Sequence, residues 1–128
     1  MANRPAHVLD VGNCDPDHGM ISHMLTERFH VRIDRVMFVP DALARLRQNR
    51  YDLVLVNRLV FADGSEGQDL VIAAKADSAL RDIPIMMISN YEDAQARAVA
   101  AGAERGFGKA SVRSESTFAL LAKFLPPR

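Results

Sequence analysis

The chain has 128 residues, 48% of them hydrophobic, which suits one domain with a substantial core. Its 16 basic and 16 acidic residues cancel, so charge leaves no footprint for nucleic acid or an anionic membrane as partner. The single cysteine, Cys14, excludes an internal disulfide and a multi-cysteine zinc site, and no apolar run approaches the roughly 20 residues that cross a bilayer. The start, Met1-Ala2-Asn3-Arg4-Pro5, is polar and unlike a signal peptide, so a cytoplasmic protein is expected. Without repeats or linker-like tracts, residues 1–128 are read as one domain. It is expected to stand alone, since the sequence ends at Pro126-Pro127-Arg128 soon after its last apolar segment.

Apolar runs alternate with amphipathic stretches. His7 to Val11 reads as a short first strand, with Asp10 an odd polar residue that would point toward the strand's carboxyl end. Asp17 to Phe29 follows as a helix with Met20, Ile21, Met24, Leu25 and Phe29 on one stripe. Val31 to Val36 is a second strand, with Val31, Ile33 and Val36 as its inward residues. Pro40 then fits the first turn of a helix that buries Ala42, Leu43 and Leu46.

Leu53 to Val56 is the third and most apolar strand, ending at Asn57, and Asp63-Gly64-Ser65 marks the loop beyond it. Gln68 to Ala76 is a helix facing inward through Leu70, Val71 and Ala74. Pro84 to Ile88 is a fourth buried strand. Glu92 to Ala101 is an alanine-rich helix that Gly102 closes. Glu104 to Gly108 is a short fifth strand. Ser114, a reasonable N-cap, opens a last helix to Leu125 with Phe118, Leu121, Ala122 and Leu125 on one side.

Strands apolar on both faces and separated by helices indicate a parallel sheet covered on both sides, a (βα)5 doubly wound α/β fold. Right-handed crossovers leave few topologies. The order 2-1-3-4-5 brings the ends of strands one and three together at the switch point, where such sheets place their reacting groups.

Three segments narrow the choice among such folds. Tyr51-Asp52-Leu53-Val54-Leu55-Val56-Asn57, Ile83-Pro84-Ile85-Met86-Met87-Ile88-Ser89 and Phe107-Gly108-Lys109, in this order and spacing, resemble the third, fourth and fifth strands of response-regulator receiver domains. These flavodoxin-like domains are the phosphoacceptor modules of bacterial two-component signalling. The resemblance implies a phosphorylated aspartate at the end of strand three, two acids after strand one that hold Mg²⁺, and a hydroxyl and a lysine that contact the phosphoryl group.

Carried onto this chain, Ser89 and Lys109 keep the hydroxyl and the lysine, but Asn57 stands at the acceptor position. The acidic pair falls on Gly12 and Asn13 or on Asn13 and Cys14, depending on register, and neither choice supplies a carboxylate. Asp10 and Asp15 are the neighbouring acids. Asp15 is the one weak candidate ligand, so Mg²⁺ is expected to bind weakly or not at all, and no cofactor is implied. Lys109 is expected to reach the Asn57 carboxamide oxygen. Gly106 stands where the family often carries a switching aromatic, and Ala110 where it often carries proline. Phe107 alternates to the other side of its strand and reads as core.

The resemblance therefore implies a degenerate receiver in phosphorelay signalling, not an enzyme. It would bind a signalling protein, or a second copy of itself, through the face of helix four, strand five and helix five. Two rivals stay open: a working receiver phosphorylated on another acid, such as Asp15 or Asp63, and a small-ligand or redox module that uses the emptied pocket or Cys14. Asp15-Pro16-Asp17 reads first as the start of a helix. His7, His18, His23 and His30 read as surface histidines, and Arg45, Arg47 and Arg50, with Arg58 nearby, as a solvated face.

Overall fold

The computed structural model describes residues 4–128. Five strands, β1 (Ala6–Val11), β2 (Val31–Val36), β3 (Leu53–Asn57), β4 (Ile85–Ile88) and β5 (Glu104–Phe107), alternate with five helices. The helices are α1 (Asp15–Arg28), α2 (Val39–Gln48), α3 (Gln68–Ala76), α4 (Glu92–Ala100) and α5 (Glu115–Ala122). The strands form one parallel sheet in the order β2-β1-β3-β4-β5. Among the described residues no helix is long and apolar enough to cross a membrane.

The period-two geometry of a strand sends successive side chains to opposite faces, and two cores result. Leu9, Val11, Val54, Val56, Ile85 and Met87 pack under α2, α3 and α4. Ala6, Val8, Leu53, Leu55, Met86, Ile88 and Phe107 pack under α1 and α5. Every residue of β4 and the first four of β3 are buried, as strands covered on both sides require. Edge strand β2 divides its apolar residues: Val31 and Ile33 face the second core, and Val36 faces the first.

Helix limits differ from expectation by more than one residue at two places. Helix α1 starts at Asp15 rather than Asp17, because Pro16 sits in the first turn, where its missing N–H leaves no bond unmade. Helix α5 stops at Ala122, three residues short, and Ala122 is exposed; Thr117 and Leu121 are the buried residues of that helix. Ser114 caps it as expected, accepting from the Thr117 backbone N–H.

The β4–β5 ladder is irregular between Met86 and Ile88. The buried Gln95 side chain of α4 fills the break. Its amide donates to the Met87 and Ser89 carbonyls at 2.9 and 3.2 Å and accepts from the Gly106 N–H at 3.0 Å. Gly106 runs so close to β4 that a Cβ there would collide with the Met87 carbonyl oxygen. Position 106 thus admits no aromatic side chain, and a glutamine among alanines supplies the hydrogen bonds that strand pairing leaves out.

Candidate functional site

The carboxyl edge of the sheet gathers the ends of β1, β3, β4 and β5. Asn57 closes β3, and its side-chain amide donates to the Leu59 carbonyl at 2.6 Å, so it caps its own loop. Ser89, directly after β4, is nearly buried and accepts from the Tyr91 N–H at 3.1 Å. Beyond β1, Gly12 has φ +81°, a conformation that favours glycine. Its backbone joins the end of β1 to β2 and to the loop after β3, donating to Val36 and accepting from Phe61.

Asn13 is fully buried, while Cys14 is partly exposed at the N-cap of α1, where its side chain caps nothing. The Asn13 carbonyl accepts from Arg35 at 2.8 Å. Its side-chain oxygen is buried with no partner among the described residues.

Asp10 is bonded to Asn13, just past the carboxyl end of its strand, and to His18 on α1. It alternates with Leu9 and Val11, shares the face of Val8, and lies fully buried beneath α1. A buried carboxylate needs donors. Asn13 Nδ2 supplies one at 2.6 Å and His18 Nδ1 the other at 2.5 Å. His18 Nε2 lies 3.3 Å from Ser22 Oγ, one helical turn further along α1. His18 is therefore the counterpart of a buried acid rather than a surface histidine. His7 also departs from that expectation: its ring contacts Asp34 at 2.8 Å and the Arg50 carbonyl at 3.2 Å.

Lys109 does not hydrogen-bond Asn57. Its ammonium donates to Asp17 Oδ2 at 2.6 Å, closing the distance between the end of β5 and the first turn of α1. The Lys109 hydrogen bond holds the Asp17 carboxyl below its ordinary value of 3.8, against the upward push of burial, and the Cys14 thiol acts in the same direction as Lys109. Asp15 and Asp17 do occupy the first helical turn, but their side chains reach outward to partners rather than capping it. Asp15 is strongly exposed and pairs with Arg35 at 2.8 Å. Asp63 is exposed too, and accepts from the backbone and hydroxyl of Ser65 at 2.9 and 2.7 Å.

The residues at this edge do not fit Mg²⁺, a hard cation that takes oxygen ligands and is usually anchored by carboxylates. Gly12, Asn13, Cys14 and Asn57 bring no charge, Asp10 is committed to two donors beneath the helix, and Asp17 to a lysine. Among the described residues no group of three or more His, Cys, Asp or Glu is arranged to hold a metal.

Phe107 is buried in the core beneath α1 and α5, as its alternation with Gly106 requires. Ala110 lies in a short 3-10 turn, Lys109–Ser111, and its N–H donates to Asn90 at 3.1 Å. The expected solvated arginine face is mostly engaged: Arg45 pairs with Asp34, Arg47 with Asp77, and Arg58 lies over the Tyr91 ring.

Sequence reasoning missed three members of this neighbourhood. A charge inside an apolar strand demands a donor, and His18, in the first turns of the helix that packs over it, is the nearest such side chain. Gln95 carried a similar signal, a lone amide between the inward alanines Ala94 and Ala98. Asp17 carried none, because its partner lies 92 residues away.

No protein-family model matches the sequence, and no curated protein matches it. Solved structures do resemble it in fold. The signal receiver domain of a DNA-binding response regulator protein (merR) from Colwellia psychrerythraea 34H superposes with a TM-score of 0.73 and 24% identity, covering 92% of this chain and 98% of that one. The signal receiver domain of a signal transduction histidine kinase from Syntrophus aciditrophicus gives 0.71 and 22%, covering 92% and 91%. The chemotaxis response regulator CheY4 of Vibrio cholerae gives 0.70 and 21%, covering 94% and 96%. With its strand order and its flanking helices, the chain has the flavodoxin-like fold that response-regulator receiver domains share.

Proposed function

We propose that residues 1–128 act as one receiver-like domain of two-component signalling that works by protein contact, without phosphorylation at position 57 and without enzymatic activity of its own. The observation that carries this reading is the chemistry at the end of β3. An acyl phosphate forms on a carboxylate oxygen; Asn57 offers a carboxamide whose nitrogen already donates to Leu59. Around it, the positions assigned to a metal-binding acidic pair hold Gly12, Asn13 and Cys14, and Lys109 spends its charge on Asp17. A transferring phosphoryl group would meet neither a bound cation nor a free ammonium.

The contact surface assigned to this function is the face of α4, β5 and α5. It carries Tyr91 and Val99, 60% and 44% exposed, beside the Glu92–Arg105 ion pair. Exposed aromatic and aliphatic residues rimmed by charges suit a protein partner, either a signalling protein or a second copy of the chain. A cytoplasmic, bacterial setting follows from the same reading.

The test is incubation with acetyl phosphate and Mg²⁺, followed by intact-mass analysis and peptide mapping. An unmodified chain is expected. A phosphoryl adduct on Asp15 or Asp63 would replace this reading with that of a working receiver. Sedimentation of the chain and of Val99→Glu addresses the face: loss of self-association in the variant is expected if the partner is a second copy.

A further inference from the structure

The amino-terminal edge of the sheet, opposite Asn57, carries a second concave site. A cleft of about 550 Å³ opens there between Arg4, the β1 residue His7, its cross-strand neighbour Arg32 on β2, and Arg50 just before β3, with Asp52 and Phe124 completing its wall. Six arginines elsewhere in the chain hold carboxylates, Arg35, Arg45 and Arg105 among them at 2.5–2.9 Å. Arg4, Arg32 and Arg50 have no carboxylate within ion-pair distance among the described residues. In a chain of zero net charge, three such cations on one cleft form a local positive field. The one lining carboxylate, Asp52, is engaged by the backbone, its Oδ2 accepting the His7 N–H at 2.8 Å.

The floor of the cleft is built rather than loose. The His7 ring is fixed between the Arg50 carbonyl and Asp34 and stacks against Tyr51 with centroids 4.3 Å apart. Against the upward push of burial, hydrogen bonds from Tyr51, His7 and Arg45 hold the Asp34 carboxyl below its ordinary value. This network fixes the backbone of Arg50 and the β1 start relative to β2. The Phe124 ring, half-buried, supplies an apolar wall.

Guanidinium groups present paired N–H donors that match phosphate oxygens. Three of them spread over a cleft of this size suit a chain of phosphates, and the cleft lies within the range of small-molecule sites. We propose that this cleft binds a nucleoside polyphosphate, its phosphates spanning Arg4, Arg32 and Arg50 and its base against Phe124. The site is independent of the signalling reading, since it shares no residue with the carboxyl edge.

Isothermal titration of the full chain with ATP, AMP and pyrophosphate tests this, with amide NMR shifts locating the site. The expected result is one saturable ATP site that weakens as salt rises, with AMP and pyrophosphate each at least about tenfold weaker. Shifts should concentrate on residues 6–7, 32 and 50–52. The double charge reversal Arg32→Glu/Arg50→Glu should lose at least about tenfold in affinity, and the milder Arg32→Gln/Arg50→Gln should follow it if the reversal does not fold. Absence of ATP binding, binding unchanged in these variants, shifts centred on Lys109, or pyrophosphate binding as tightly as ATP would each overturn the assignment.

Discussion

Replacing His18 by leucine removes one of the two donors that make the burial of Asp10 tolerable. The Asp10 carboxylate has no solvent exposure and receives only His18 Nδ1 at 2.5 Å and Asn13 Nδ2 at 2.6 Å. A carboxylate offers about four lone-pair sites, so two donors already leave it sparsely served. A hydrogen bond to a charged group contributes about 1.5–3 kcal/mol, and breaking a buried charged pair from one side costs about 3–5 kcal/mol. Against a typical domain stability of about 5–15 kcal/mol, His18→Leu should still fold but lose much of its margin. With a slope of about 1–3 kcal/mol per molar urea, the unfolding midpoint should fall by roughly 2 M. The double variant Asp10→Leu/His18→Leu should recover part of the loss, because an apolar pair needs no donors, while the buried Asn13 amide then loses its acceptor. Urea unfolding of the wild type, the two single variants and the double variant gives the coupling energy. A loss below about 1 kcal/mol for His18→Leu, typical of a surface change, would refute the reasoning, as would a double variant no more stable than the single one.

Other expectations follow from the same structure. Gln95→Leu strips the Gly106 N–H and the Met87 and Ser89 carbonyls of their partner at about 1–3 kcal/mol for each buried group left unpaired, and hydrogen exchange at Gly106 should accelerate more than at β1 amides. Gly106→Ala meets the Met87 carbonyl and should lower thermal stability more than an alanine substitution at exposed Gly19. Because the Asp17 carboxyl is held below its ordinary value by Lys109, the stability it contributes is present above the unfolded-state value and is lost as pH falls through the folded one. The advantage of wild type over Lys109→Met, no more than about 1 kcal/mol for this partly exposed pair, should therefore vanish in acid. NMR titration of Asp17 in the variant should show its midpoint moving up.

The fold was legible because each strand is a short apolar run and each helix carries its own stripe, signals that lie within about ten residues of one another. Helix α3 and strand β2 follow their expected limits for that reason. Phe107 fell on the core side because alternation along a strand is a local rule. Contacts between distant residues were less visible. Lys109 was expected at Asn57, since both belong to one edge of the sheet, yet a carboxylate attracts an ammonium more strongly than a neutral amide does, and Asp17 lay within reach. The full burial of Asp10 beneath α1 was not anticipated, although parity with Val8 places it on an inner face. Ala122 was placed on the buried stripe of a helix that ends there.

The most direct test of a carboxyl edge unable to gather negative charge is to restore the missing carboxylate. Asn57→Asp, incubated with acetyl phosphate and Mg²⁺ and weighed intact, is expected to remain unmodified, because Gly12, Asn13 and Cys14 still bring no carboxylate to hold the cation. Magnesium-dependent phosphorylation of most of that variant, mapped to residue 57, would contradict the account.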